Sequence, residues 1–150
     1  MDNLTIEERS AQMRLVRSKN TKPELRVRRL VHGLGFRFRL HVAELPGKPD
    51  LVFPSRRKVI LVHGCFWHGH SCRLGRTPKS NLEYWLNKIG ANRSRDLRAL
   101  RALQESGWEC MVVWECSLRD EPGLAERIRL FLEPSSQIEG IAAGHGQGSV

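Results

Sequence analysis

The order of secondary-structure signals along this chain, ααβββαβα, predicts an α/β domain with a mixed sheet flanked by helices. Three observations carry that expectation. Capping boxes at Thr5–Glu8, Thr21–Glu24 and Ser80–Glu83 each open a stretch that reads as a helix. The runs Val59–Val62 and Met111–Trp114 are short, apolar and rich in β-branched or aromatic residues, as buried strands are. A length of 150 residues with 40% hydrophobic content suits one domain with a real core and is too short for two comfortable ones.

The first helix is expected from about Ile6 to Arg17. Its apolar content (Ile6, Met13, Leu15, Val16) is thin, so residues 1–20 read as a surface arm whose Arg14, Arg17 and Lys19 can lie against phosphate. The second helix opens at Thr21, gathers Val27, Leu30, Val31 and Leu34 on one face, and ends at Gly35. Phe36–Leu40 alternates apolar and basic residues, the pattern of a half-exposed strand with one cationic face. Pro46, Gly47 and Pro49 break the chain before Asp50 and the strand Leu51–Phe53. A turn at Pro54–Arg57 returns it as Lys58–Val62, a hairpin in which Phe53 pairs with Lys58 and Asp50 falls near Leu61. The third box starts the longest helix, which runs to about Glu105 and closes at Gly107, with Gly90 weakening it locally. Trp108–Glu115 reads as a fully buried strand and Pro122–Leu132 as the last helix. The folded domain is therefore placed at 21–133, followed by a Gly/Ser-rich tail at 134–150 expected to be disordered.

Between the two buried strands lies the densest chemistry. His63–Cys72 packs three histidines, two cysteines, a Phe and a Trp into ten residues, which no packing requirement explains. Cys65, His70 and Cys72, joined by Cys116 at the end of the later strand, make a closed Cys₃His set suited to structural zinc. The spacing is not that of a standard zinc finger, His68 competes with His70 as ligand, and scattered buried cysteines are the plain alternative. Cys110 reads as a small core residue. Asp50, His63, His68 and Glu24 remain. An acid at a strand start beside histidines suits a hard divalent ion with an imidazole as base for water. Each has an ordinary reading too: Asp50 as a turn residue, a histidine at a strand end as structural, Glu24 as the third residue of its capping box.

Lys and Arg number 25 against 16 Asp and Glu, a net charge of +9 that favours a polyanionic partner, nucleic acid first. No apolar run approaches the ~18 residues of a spanning helix, no helix pairs a basic face with a wide apolar one, and the polar N-terminus is no signal peptide. Cysteines crowded with histidines in such a chain point to a reducing compartment, the cytoplasm.

The segments LPGKPDLVF, VILVHGCFWHGHSC, EYWLNKIGANRSRD and VVWECSLR, spanning about Ser18 to Arg119, resemble the very-short-patch repair (Vsr) endonucleases. The resemblance implies a restriction-endonuclease-like fold, related to the PD-(D/E)xK nucleases, with a structural Zn²⁺. It implies Mg²⁺-dependent nicking of double-stranded DNA 5′ to the T of a T·G mismatch left by deamination of 5-methylcytosine. By position, Asp50 matches the metal-binding carboxylate and Val62 the residue offering a backbone carbonyl to Mg²⁺, where relatives often carry threonine. His63 and His68 match the active-site histidines, with His68 the base, and Glu24 an assisting acid. Cys65, His70, Cys72 and Cys116 match the zinc ligands. Phe66, Trp67 and Trp85 match aromatic residues that wedge into the DNA stack, and Met13 lies near the helix that enters the minor groove. Arg26, Lys88, Arg93 and Arg95 fall on helix faces that would grip phosphate. Trp85 can instead face the core beside Leu86 and Ile89. A monomer working at the bacterial nucleoid, optionally with a mismatch-repair protein, is the expected setting. The rival readings are a related nuclease of restriction or defence that cuts other DNA, and a zinc-stapled DNA-binding module without catalysis.

Overall fold

The computed structural model describes residues 20–133. The expected first helix with Met13, and the tail at 134–150, lie outside them. The described residues form α1 (Lys22–Gly33), β1 (Arg39–Leu40), β2 (Leu51–Phe53), β3 (Lys58–His63), α2 (Leu82–Glu105), β4 (Glu109–Trp114) and α3 (Glu121–Leu132). The sheet order is β1-β2-β3-β4, antiparallel through β3 and then parallel. Among the described residues this is a mixed four-stranded sheet with three helices, and no helix is long and apolar enough to cross a membrane.

Alternation along β2 and β3 divides the core between two faces. Leu51, Phe53, Ile60 and Val62 meet Val27 and Val31 of α1 and Leu124, Ile128 and Leu132 of α3. Val52, Val59 and Leu61 meet Leu103 and Trp108, at and beyond the end of α2. His63 continues the second series (59, 61, 63) and so belongs to the α2 side. The β2–β3 register pairs Phe53 with Lys58, as the turn length predicts. Both glycine stops are realised as Schellman caps. The N–H groups of Gly35 and Phe36 donate to His32 and Val31, and those of Gly107 and Trp108 to Gln104 and Leu103.

Three local expectations are corrected. Only Arg39–Leu40 of the FRFRL segment is strand, because the β1–β2 ladder pairs only these two residues with Val52 and Leu51 and leaves Phe36–Phe38 unpaired, and the left-handed His41 (φ +50) follows directly. The Ser80–Glu83 box is not formed: α2 starts one residue after Asn81, itself left-handed, with no side-chain cap bond. Only Val113 of β4 is fully buried, since β4 is an edge strand of this sheet.

Candidate active site and metal centre

Asp50 immediately precedes β2, where β3 runs on past its hairpin partner, and its carboxylate takes the place of the missing ladder carbonyl. Oδ2 accepts a 2.6 Å hydrogen bond from the Val62 N–H. The N–H and C=O of a strand residue leave the same edge, so the Val62 carbonyl faces the Asp50 side as well. Oδ1 is left facing His41 Nε2, 3.9 Å away. Glu24 reaches the same point from the first turn of α1. It is 3% exposed, and its Oε1 lies 3.2 Å from His41 Nε2 and 3.3 Å from Arg28 Nη2 while accepting from the Asn20 N–H at 2.7 Å. The Thr21 hydroxyl accepts from the Glu24 N–H. Glu24 therefore sits in the helix cap and at the same time beside His41 and Asp50. Burial pushes the Asp50 carboxyl up to about 7; the Val62 hydrogen bond opposes this and the Glu24 charge adds to it. A buried carboxylate pair with a nearby carbonyl is an oxygen-rich set in need of positive charge, and it fits a hard divalent cation.

One peptide bond further on, at His63, the chemistry changes to acid–base. The His63 and His68 rings stack in parallel, with centroids 4.0 Å apart and planes 4° apart. His68 Nδ1 lies 2.5 Å from Asp96 Oδ2, delivered by α2. The sequence reading missed Asp96 and His41. Asp96 left one trace, as the single acid on the basic side of its helix; His41 left none. His63 Nδ1 is buried with no hydrogen-bond partner among the described residues. Burial, then the charge of His68, lowers the His63 pKa to about 4 against the pull of Asp96, which keeps the ring neutral at pH 7. His63, His68 and Asp96 are near enough in space to suggest a ligand set. Lone pairs of stacked parallel rings run side by side and do not converge on one ion, so we read the trio as an acid–base group. These residues border a cleft of about 390 Å³ that Arg93, Leu97 and Trp114 also line.

The four residues expected to form one site are thus arranged as two clusters, Glu24–His41–Asp50 and His63–His68–Asp96, joined through the Val62–His63 peptide.

Behind them, ligand atoms of Cys65, His70, Cys72 and Cys116 all lie within 4.8 Å of one another. Cys116 Sγ is 3.6 Å from His70 Nδ1, and the Cys116 N–H donates to Cys65 Sγ at 3.4 Å. Parallel pairing of His63 with Trp114 brings the loop and the end of β4 to one sheet edge, which is how residues 51 apart meet. Burial drives the Cys65 thiol up to about 12. At Cys72 desolvation acts the same way, but hydrogen bonds from His70, Cys65 and two backbone N–H groups outweigh it and hold the thiol near 6. Three sulfurs and an imidazole converging without an open position fit a structural soft-metal site. His70 is the histidine in this set, while His68 faces Asp96.

Phe66, Trp67 and Trp85 form a contiguous aromatic cluster, with centroids 5.0–5.9 Å apart. Asn92 Nδ2 holds the Trp67 carbonyl at 2.7 Å. Trp85 is 4% exposed and forms the floor of the cluster, packed beneath Phe66 and Trp67. The Arg26 guanidinium, still exposed, pairs with Glu121 and donates to the Leu118 carbonyl, pinning α1 to α3. Arg93 and Arg95 are exposed and Lys88 half-buried on α2.

Comparison with known proteins identifies the family. The family described as DNA mismatch endonuclease Vsr matches residues 1–74. The chain is 58% identical over 134 residues to the type II nicking enzyme V.XorIIP of Xanthomonas oryzae, covering 89% of this chain and 98% of that one. It is 42% identical to the type II nicking enzyme V.NmeAIP of Neisseria meningitidis, over 85% of this chain and 91% of the relative. To the DNA mismatch endonuclease Vsr of Escherichia coli it is 46% identical, over 79% and 76% respectively. With an oxygen-rich carboxylate site, an adjacent acid–base group and a Cys₃His cluster in one chain, these similarities have one meaning: the protein belongs to the Vsr family of DNA mismatch endonucleases.

Proposed function

We propose that this enzyme nicks duplex DNA 5′ to the T of a T·G mismatch, in very short patch repair of deaminated 5-methylcytosine, and requires Mg²⁺. The observation that carries the mechanism is the unbroken run of contacts from Asp50 through Val62 and His63 to His68 and Asp96. Mg²⁺ would be held by the Asp50 carboxylate and the Val62 carbonyl, and would supply Lewis-acid charge at the scissile phosphate. His68 gives its Nδ1 proton to a hydrogen bond with Asp96, which leaves Nε2 free to take a proton from the attacking water. His63, neutral and stacked on that base, fixes its plane and offers a donor to water or to the leaving oxygen. Glu24 holds the Asp50 side of the site and orders water there.

The rest of the molecule grips and tests the substrate. The Cys₃His cluster holds Zn²⁺ as a staple between the catalytic loop and β4, completing a restriction-endonuclease-like fold. Phe66 and Trp67, backed by Trp85, enter the base stack. Unstacking costs a few kcal/mol per step, and less where pairing is already defective, so a wedge favours mismatched DNA. Lys88, Arg93 and Arg95 contact phosphate, aided by the arm at residues 1–20 with Met13, while 134–150 stays outside the catalytic domain. The enzyme acts as a monomer at the bacterial nucleoid and accommodates a mismatch-repair protein as partner.

The test is nicking of labelled duplexes, matched or carrying T·G, in Mg²⁺ with an EDTA control. Nicking confined to the T strand of the mismatch is expected. Equal cutting of matched DNA overturns this reading in favour of a broader nickase, the alternative suggested by relatives named type II nicking enzymes.

A further inference from the structure

We propose that His41 is a nitrogen ligand of the divalent-cation site and gives it a preference for Mn²⁺ over Mg²⁺. The inference rests on the reading of Asp50 as a cation-holding residue and extends it to a side chain with no role so far.

The geometry is that of ligands around one ion. His41 Nε2 stands 3.2 Å from Glu24 Oε1 and 3.9 Å from Asp50 Oδ1. Adjacent donors around a first-row divalent ion, each at about 2.1 Å, are separated by about 3 Å, and by more where the angle opens. The Asp50 carboxylate is already divided, with Oδ2 committed to the Val62 N–H and Oδ1 turned toward the imidazole. A positive group already stands at this point. Arg28 Nη2 lies 3.3 Å from Glu24 Oε1 and 3.4 Å from His41 Nε2, a cationic nitrogen against two of the three donors. A metal ion entering the site would take over that position, and Arg28 would withdraw.

His41 is also held in place by its backbone. It has φ +50, uncommon for a residue with a Cβ, and its N–H donates to the Asp50 carbonyl at 3.4 Å. This conformation ends β1 and turns the side chain back toward Glu24 and Asp50, tying both ligand-bearing segments together. Two carboxylates alone suit Mg²⁺. Adding imidazole shifts the set toward later first-row ions, which bind nitrogen more strongly in the order Mn²⁺, Fe²⁺, Co²⁺.

The test uses zinc-loaded full-length protein and Mn²⁺ as the probe. Pulsed electron paramagnetic resonance of the bound Mn²⁺ should show coupling to a directly coordinated ¹⁴N. His41→Gln should abolish that coupling and weaken Mn²⁺ binding about ten-fold, while Mg²⁺ binding changes no more than about three-fold. Absence of ¹⁴N coupling in the wild-type protein, or its persistence in His41→Gln, overturns the proposal, and the first of these needs no variant to fold. Asp50→Ala separates the two levels. If it leaves Mn²⁺ and Mg²⁺ binding untouched, the cation-site reading itself fails and His41 falls with it. If it removes binding while the wild-type signal shows no nitrogen, only the assignment of His41 is wrong.

Discussion

Asp96 shows how much a single side chain can decide. In the proposed mechanism its carboxylate, 2.5 Å from His68 Nδ1, would fix the tautomer of that ring and steady the imidazolium formed when it takes a proton. Asp96→Asn keeps the shape but offers an amide, so we expect nicking to fall by a hundred-fold or more, on the scale of roughly 10²–10⁴ for loss of general-base function. DNA affinity should stay within a few-fold. A matching loss of affinity would make Asp96 a structural residue instead. Asp50 makes a prediction about stability. Folded, its carboxyl holds a proton up to about 7, whereas the unfolded chain releases it near 3.8. Between these values the folded state binds more protons, so the stabilisation present below about pH 4 is lost as pH rises through 7. The effect is at most about 4 kcal/mol. Thermal melts of Asp50→Asn should lack this fall, and Mg²⁺ should raise the melting temperature of the wild type more at pH 8 than at pH 5. Identical pH profiles for the two proteins would remove Asp50 as the cause.

At the scale of elements, two glycines in neighbouring segments should respond to alanine in opposite directions. Gly90 lies exposed in α2, and a Cβ there would meet nothing within 4 Å. Gly90→Ala should stabilise the protein by about 1 kcal/mol through helix propensity. Gly75 closes the short 3₁₀ turn Arg73–Gly75, where a Cβ would lie 1.9 Å from the His70 carbonyl oxygen. Gly75→Ala must push the Cys72 arm away from Cys65 and His70. Denaturant melts of the first and metal content of the second check the pair, and full zinc retention in Gly75→Ala would contradict the geometry.

Elements were also where the sequence was most legible. Helix ends marked by glycine and the hairpin register depend on local chemistry or on a short turn, and each appeared as read. What could not be read depended on distant partners. Asp96 meets His68 across 28 residues because α2 packs over the sheet, and nothing in its neighbours announces that crossing. His41 gained its place from a left-handed backbone that no glycine flags. Trp85 sat at a helical position compatible with either face, and tertiary packing chose the inner one. Asn81 displaced the Ser80 box because asparagine tolerates the left-handed cap.

Across the described residues as a whole, one sheet is shared by two hydrophobic cores, and the candidate catalytic groups sit where the sheet ends. α1 brings Glu24 from one face and α2 brings Asp96 from the other, so the site is completed by both layers. The Cys₃His cluster joins the loop between them to the end of β4, and a metal held there would keep that loop in shape. Stripping its metal with a thiol-compatible chelator should abolish nicking even with Mg²⁺ in excess, while most helical circular dichroism persists because neither core contains the metal. Hydrogen exchange should show opening concentrated in residues 64–77. Unchanged exchange there after metal removal would mean that the cluster is not a staple.

The parallel pairing of β3 with β4 also sets an order of assembly. The loop carrying Cys65 and Cys72 is complete long before Cys116 is made, and Cys116 reaches it only when β4 docks beside β3 after the whole of α2 has crossed. The hairpin alone is marginal in water, and the cleft cannot close until the final strand brings Trp114 beside His63. The residues that complete both the Cys₃His cluster and the cleft, Cys116 and Trp114, are thus among the last of the domain to be made.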